Sequence, residues 1–243
     1  MTSTEAGDAV TAPTDDLRRH LALALDVDDL VPALRLAREL RPWFGVAKVG
    51  LELYSAVGPD AIGSLSDLGY EVFCDLKLHD IPTTVGRASR VIGSLGAAYL
   101  TIHAQGGVAM LTAGVEGFRQ GAADAGLAEP TALAITVLTS DGEAPEHLVP
   151  ARIRTALDAG CGGIVCPARA LVDARTLAPR LRRVVPGIRP AGVAHDDQAA
   201  PATPAEALAA GADVLVIGRA VTRAADPAAA AAAIVAELAD VGR

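Results

Sequence analysis

The chain has very few aromatic residues. Phe, Tyr and Trp make up 3% of 243 residues, while hydrophobic residues reach 51%. A core of that composition must be built from Ala, Val, Leu and Ile, which suits layered α/β folds whose strands are buried on both faces. Cysteine is scarce too: Cys74, Cys161 and Cys166 are an odd number without C-x-x-C spacing. That implies neither a disulfide framework nor a zinc site, and it fits a reducing cytoplasm. No run approaches the roughly 20 apolar residues needed to cross a bilayer. The opening MTSTEAGDAVTAPTDD has no Lys, no Arg and no apolar stretch, so it is not expected to act as a secretory signal. Positive charge is in deficit, 21 basic against 29 acidic residues, for a net charge of −8. No basic patch stands out to neutralise a nucleic-acid backbone, although a single small phosphate can still be held. The expectation is a soluble cytoplasmic protein with neither nucleic acid nor membrane as partner.

What is present is a recurring unit. Eight short apolar runs are bounded by turn signals: LALALDV, FGVAKVG, EVFCDLKL, AYLTIHA, TALAITVLT, GIVCPA, RVVPGIR and DVLVIGR. Between them lie segments with helical spacing, such as DDLVPALRLARELR and TPAEALAAGA, so the order reads β-α throughout. Thr203 before Pro204 and Asp226 before Pro227 each place an N-cap residue ahead of a proline suited to the first helical turn. The alanine run from Ala228 is helix-forming rather than disordered. One (β/α)8 TIM barrel over residues 17–243, preceded by a disordered tail over residues 1–16, is the expected organisation. A doubly wound sheet competes, but no G-x-G-x-x-G follows the first strand, where Asp26 stands instead.

Polar groups recur where the predicted strands end: Asp26, Lys48, Asp75 with Lys77, His103, Thr139 with Ser140, Arg189 and Arg219. In a barrel those ends converge on one mouth. A buried lone charge costs several kcal/mol, so a mutually paired cluster is favoured there. Lysine is nearly absent: of the 21 basic residues only Lys48 and Lys77 are lysines, and both lie inside apolar strands. Elsewhere the chain uses Arg, which in practice cannot release a proton, whereas an ammonium can. Lys77 is therefore the candidate proton donor. Side-chain alternation turns Asp75 and Lys77 to one face of their strand and Cys74, Leu76 and Leu78 to the helices.

The stretch DLKLHDIPTT resembles the D-x-K-x-x-D-I-P signature of orotidine 5′-phosphate decarboxylases. LALDV, AKVG, TIHAQGG, VLTS, PGIR, the DQ ending at Gln198 and VIGR follow in that family's order over almost the whole chain after the tail. The resemblance implies a homodimeric barrel with shared active sites. It would convert orotidine monophosphate to uridine monophosphate, the last step of de novo pyrimidine nucleotide synthesis, with no metal and no organic cofactor. It implies that Lys77 protonates the pyrimidine carbon, that Asp75 lies beside the departing carboxylate, and that Asp80 reaches the neighbouring subunit's site to complete a charge array with Lys48. Asp26 and Lys48 would hold ribose hydroxyls, with Thr84 contributing across the dimer. Thr139 and Ser140 would contact the base. Gly218 and Arg219 would hold the 5′-phosphate, Arg189 would also bind substrate, and Gln198 would come from a lid. The family usually shows Gln where this chain has Ala191, and His195 and Asp196 have no assigned role.

The other histidines carry less. His103 reads as a buried hydrogen-bonding residue rather than a metal ligand, His79 as ordering the loop after the third strand, and His20 and His147 as uninformative. Gly106 and Gly107 are a weak phosphate-loop hint. Two other functions stay open at this point: a magnesium-dependent decarboxylase of 3-keto sugar phosphates, and a non-catalytic phosphosugar-binding barrel.

Overall fold

Each of the eight apolar runs forms a strand, and the strands pair in chain order until the last meets the first, closing a parallel barrel. A computed structural model describes residues 14–138, 144–190 and 202–241. Helix α1 (Asp15–Arg19) leads into β1 (Leu21–Leu25), α2 (Leu30–Leu40), β2 (Val46–Val49), α3 (Leu51–Val57), α4 (Asp60–Asp67) and β3 (Glu71–Leu78). There follow α5 (Pro82–Ser94), β4 (Tyr99–His103), α6 (Gly107–Asp124), β5 (Thr131–Ile135), α7 (Leu148–Asp158) and β6 (Gly163–Val165). The last part holds α8 (Leu171–Leu177), β7 (Arg182–Val185), α9 (Pro204–Ala209), β8 (Val214–Ile217), α10 (Arg219–Thr222) and α11 (Pro227–Val241). Asp15 and Asp16, the last residues of the expected tail, belong to α1, which Thr14 caps by accepting from the Leu17 amide; residues 1–13 lie outside the described residues. Among the described residues no helix is long and apolar enough to cross a membrane.

Alternation along the strands sorts the apolar residues into two cores. Leu21, Leu23 and Leu25 of β1 turn outward to the helices, while Ala22 and Ala24 turn into the barrel. The interior is filled rather than open, as barrels of this size require. Phe73 on β3 and Tyr99 on β4 pack edge to face there with centroids 6.0 Å apart. Two of the chain's few aromatics thus share the barrel interior with the alanines of β1. The punctuation read from the sequence also holds. Thr203 forms a capping box with Glu206 at α9, and Asp226 accepts from the Ala229 amide at the start of α11.

Helices α5 and α6 approach unusually closely because glycines face backbone across the contact. A Cβ placed on Gly117 would collide with the Gly86 carbonyl oxygen, and one on Gly121 with that of Arg90. In an open helix, Gly to Ala gains about 1 kcal/mol of propensity; in a packed contact the overfilling costs about 1–3 kcal/mol. Gly63 in α4 is exposed with nothing within 4 Å of its would-be Cβ. The two substitutions should therefore differ in sign: Gly63→Ala raises, and Gly121→Ala lowers, the midpoint of urea unfolding.

Candidate active site

The charged site is built by the ends of neighbouring strands. Pairing places Ala24, Lys48 and Phe73 side by side on β1, β2 and β3, so Lys48 points into the barrel on the level of its apolar filling. Asp75 stands two residues beyond Phe73 on the same inward face. Asp26 follows directly after β1. Together with Lys77, the rim segment Pro186–Arg189 and Gly218–Ala220, these residues line a cavity of about 220 Å³ whose floor is apolar, formed by Phe73, Ile135, Val165 and Val216.

Within the cavity the charges alternate in sign. Lys48 Nζ lies 3.1 Å from Asp26 Oδ1 and 3.6 Å from Asp75 Oδ2, and Lys77 Nζ donates to Asp75 Oδ2 at 2.7 Å. The Lys48 and Asp75 side chains are 11% and 13% exposed, against 30% for Lys77 and 52% for Asp26. The row thus runs from a desolvated centre to a wet rim. Burial alone would push the Asp75 carboxyl up, but Lys48 and Lys77, with hydrogen bonds from Lys77 and Thr101, outweigh it and hold it below the usual carboxylate range. The two ammonium groups and the Thr101 hydroxyl engage both oxygens of Asp75.

Local backbone sets this geometry. β3 pairs regularly with β4 through Phe73↔Tyr99 and Cys74↔Leu100, then shifts so that Leu78 meets Ile102. The slack falls over residues 75–77, and Lys77 takes φ 52°, the only left-handed non-glycine residue among the described residues. Such a conformation costs on the order of 1–3 kcal/mol and persists where its surroundings fix it. Asp75 and Lys77 share a face as expected, though the strand between them is bulged rather than regular. Cys74 and Leu76 face the helices, with Leu78 partly buried beside them.

Other expected residues are distributed unevenly. Arg189 and Arg219 line the cavity, Arg189 with only 7% exposure. Arg189 does not end a strand, since β7 stops at Val185; the loop beyond is tied back by the Arg189 amide on the Ala202 carbonyl at 3.1 Å. Gly218 lies against Ala24, where a Cβ would come within 3.3 Å of that side chain. Helix α10 is a single turn, so its N-terminus offers an anion only a few amides. Asp80 and Thr84 do not line the cavity. Both are exposed, Asp80 accepts from the Ile81 amide at 2.6 Å, and Thr84 lies in the first turn of α5. Thr139, Ser140, Ala191, His195, Asp196 and Gln198 lie outside the described residues. His103 departs from its expected role: it is half-buried, with its ring 5.5 Å from that of His79, and no described residue hydrogen-bonds that ring. Burial, with His79, Lys77 and Arg152 nearby, pushes its pKa below the ordinary imidazole value. Thr101 was not among the expected residues. A hydroxyl two residues before His103 on an apolar strand was the available signal.

The fold and this site define a class: a (β/α)8 barrel whose mouth carries interleaved carboxylates and ammonium groups beside an arginine-lined rim. Residues 19–234 match the family model described as orotidine 5′-phosphate decarboxylase / HUMPS family. The orotidine 5′-phosphate decarboxylase of Anaeromyxobacter sp. (strain K) is 47% identical over 230 residues, covering 90% of this chain and 98% of that protein. That of Paramagnetospirillum magneticum is 46% identical over 227 residues, covering 89% and 97%. The crystal structure of orotidine 5′-phosphate decarboxylase from Lactobacillus acidophilus superposes with a TM-score of 0.77 at 32% identity, covering 90% of this chain and 99% of that one. The chain belongs to the orotidine 5′-phosphate decarboxylase / HUMPS family.

The depressed native pKa of Asp75 has a definite sign in stability. Unfolded Asp titrates near pH 3.9, so the contribution of Asp75 is complete above about pH 4 and is lost as pH falls through the lower native value. Asp75→Asn leaves the buried Lys48 and the partly buried Lys77 ammonium groups without their shared counter-charge, a loss of about 3 kcal/mol. Urea unfolding at pH 7 should show that deficit, and the gap to the unaltered protein should narrow as pH is lowered below about 4.

Proposed function

We propose that the protein decarboxylates orotidine 5′-monophosphate to uridine 5′-monophosphate without a cofactor, with Lys77 as the proton donor. One observation carries the reading: an ammonium group held at 2.7 Å by a nearly buried carboxylate, inside the cavity of a barrel of this family. The ring–carboxylate bond breaks with its electron pair left on the ring carbon, carbon dioxide departs, and a proton from Lys77 Nζ forms the new C–H bond. That carbanion lies in the ring plane and has no adjacent carbonyl to spread its charge. A preorganised cation in a water-poor site is what such a transition state needs. Asp75 aims the ammonium, and Lys48 supports Asp75 from the other side.

The remaining assignments follow the same orientation. Asp26 at the rim and Lys48 below it, hydrogen-bonded at 3.1 Å, hold ribose hydroxyls. Arg219 and Gly218, with Arg189 beside them, receive the 5′-phosphate, for which a planar guanidinium is well matched. Thr139 and Ser140 contact the base, and Gln198 belongs to a lid over the ligand. Binding energy from the phosphate then orients the distant reacting ring. Asp80 and Thr84 are exposed and do not line their own cavity, and Ile81 between them in the chain is 66% exposed. This supports a homodimer in which those residues complete the partner's site.

A sugar-phosphate decarboxylase using magnesium would need carboxylates available to the ion, whereas Asp75 and Asp26 already face ammonium partners. Loss of ultraviolet absorbance on adding orotidine monophosphate, measured with chelator present, separates the two: turnover should persist unchanged. Lys77→Ala should lower turnover by at least about 10³-fold while keeping affinity for uridine monophosphate within about tenfold. No turnover by folded protein overturns the assignment.

Shared sites have their own test. Lys77→Ala and Asp80→Ala proteins should each be inactive alone. Unfolded together in equal amounts and refolded, they should recover roughly a quarter of full activity, because half the dimers then hold one site with both residues intact. Recovery of none would mean that Lys77 and Asp80 serve the same protomer's site.

A further inference from the structure

We propose that Thr101 is a positioning residue for the proton donor: its hydroxyl holds the left-handed backbone of Lys77 and the carboxylate of Asp75 in one fixed relation. The inference goes beyond the residues assigned above, and its activity readout rests on the proposed decarboxylation.

The argument begins with the bulge. The Lys77 amide lies where β3 and β4 fall out of register and the regular pairing is interrupted. It donates to Thr101 Oγ1 at 2.9 Å. The same oxygen lies 3.0 Å from Asp75 Oδ1. A hydroxyl carries one hydrogen, and an amide can only donate. The directions are therefore forced: Thr101 accepts from Lys77 and donates to Asp75. Asp75 in turn accepts from the Lys77 ammonium on its other oxygen. Backbone N–H, hydroxyl, carboxylate and ammonium form a loop that begins and ends on one residue.

Thr101 has no exposure, so water cannot take over either bond if the hydroxyl is removed. Its neighbours on the inward face of β4 are Tyr99, packed in the barrel interior, and His103, half-buried against His79. Neither provides a hydrogen bond to Asp75 or to the Lys77 amide among the described residues. The left-handed turn at Lys77 is strained for a lysine, and the hydroxyl is the group that holds it. Releasing it lets the backbone relax and the ammonium swing, and a shift of about 1 Å at a reacting group costs on the order of 10²-fold in rate.

The test compares Thr101→Ser, which keeps the hydroxyl, with Thr101→Ala and Thr101→Val, which lack it. Turnover of orotidine monophosphate should fall about 10- to 100-fold in the Ala and Val proteins with KM changed less than about threefold, and Ser should restore most of it. A second readout needs no turnover. The chain has only two lysines, so protein made with lysine carrying carbon-13 only at Cε shows two side-chain methylene signals, which Lys77→Arg assigns. Loss of the hydroxyl should move and sharpen the Lys77 signal while Lys48, held by Asp26, changes little. Ser and Ala giving the same rate and the same Lys77 signal would overturn the proposal, as would an unchanged Lys77 signal in folded Thr101→Val. If Val does not fold, the Ser and Ala pair decides. Should the unaltered protein fail to act on orotidine monophosphate, the lysine signals still report on Thr101, so the two failures remain distinct.

Discussion

The Asp75 carboxylate between two ammonium groups is the contact on which the site depends. A carboxylate taken out of water at the end of an apolar barrel costs several kcal/mol, and only close opposite charge with full hydrogen bonding offsets it. Lys48 and Lys77 provide that charge, and the Thr101 hydroxyl takes the other oxygen. The same low-dielectric setting strengthens each interaction in the row. Removing any member therefore disturbs its direct partners, because no solvent replaces it at the centre, whereas Asp26 at the rim stays partly hydrated.

The barrel makes this arrangement possible by filling its own middle. Phe73, Tyr99 and the small residues of β1 leave no water path beneath the charges. The opposite end is finished by polar contacts of its own, with Tyr99 donating to Glu71 at 2.8 Å and the Arg182 guanidinium over the Tyr99 ring. One aromatic side chain thus belongs to the interior packing and to the bottom closure at once. At the mouth the inward-facing Lys48, Asp75 and Lys77 line a cavity, whereas at the other end the inward-facing Glu71 and Arg182 engage Tyr99.

The strands were legible because a parallel sheet covered on both faces demands continuous apolar runs, and turn residues mark their ends. Lys77 stood out through residue choice: a chain that otherwise uses Arg placed its two lysines inside strands. What the sequence does not display is how the backbone departs from regularity. Nothing in the letter for Lys77 announces a left-handed φ, and alternation gave the correct face for Asp75 and Lys77 although the strand bulges between them. Thr101 escaped notice because threonine is an ordinary strand former, and only the register shift turns its hydroxyl into a ladder substitute. Arg189 was legible as a mouth residue but not as a loop residue. For Asp80 and Thr84, a motif records which residues accompany one another in sequence and leaves open whose cavity they serve.

The confinement of lysine to two barrel strands reaches beyond catalysis. An endoprotease that cuts only after lysine finds two target bonds in the chain, one in β2 and one in β3, each inside a hydrogen-bonded wall. Cleavage needs several residues of free, extended chain, so fraying helices and surface loops offer such an enzyme nothing to cut. Digestion would register only those excursions in which the barrel itself parts, making the nick rate a clock for opening of the catalytic wall.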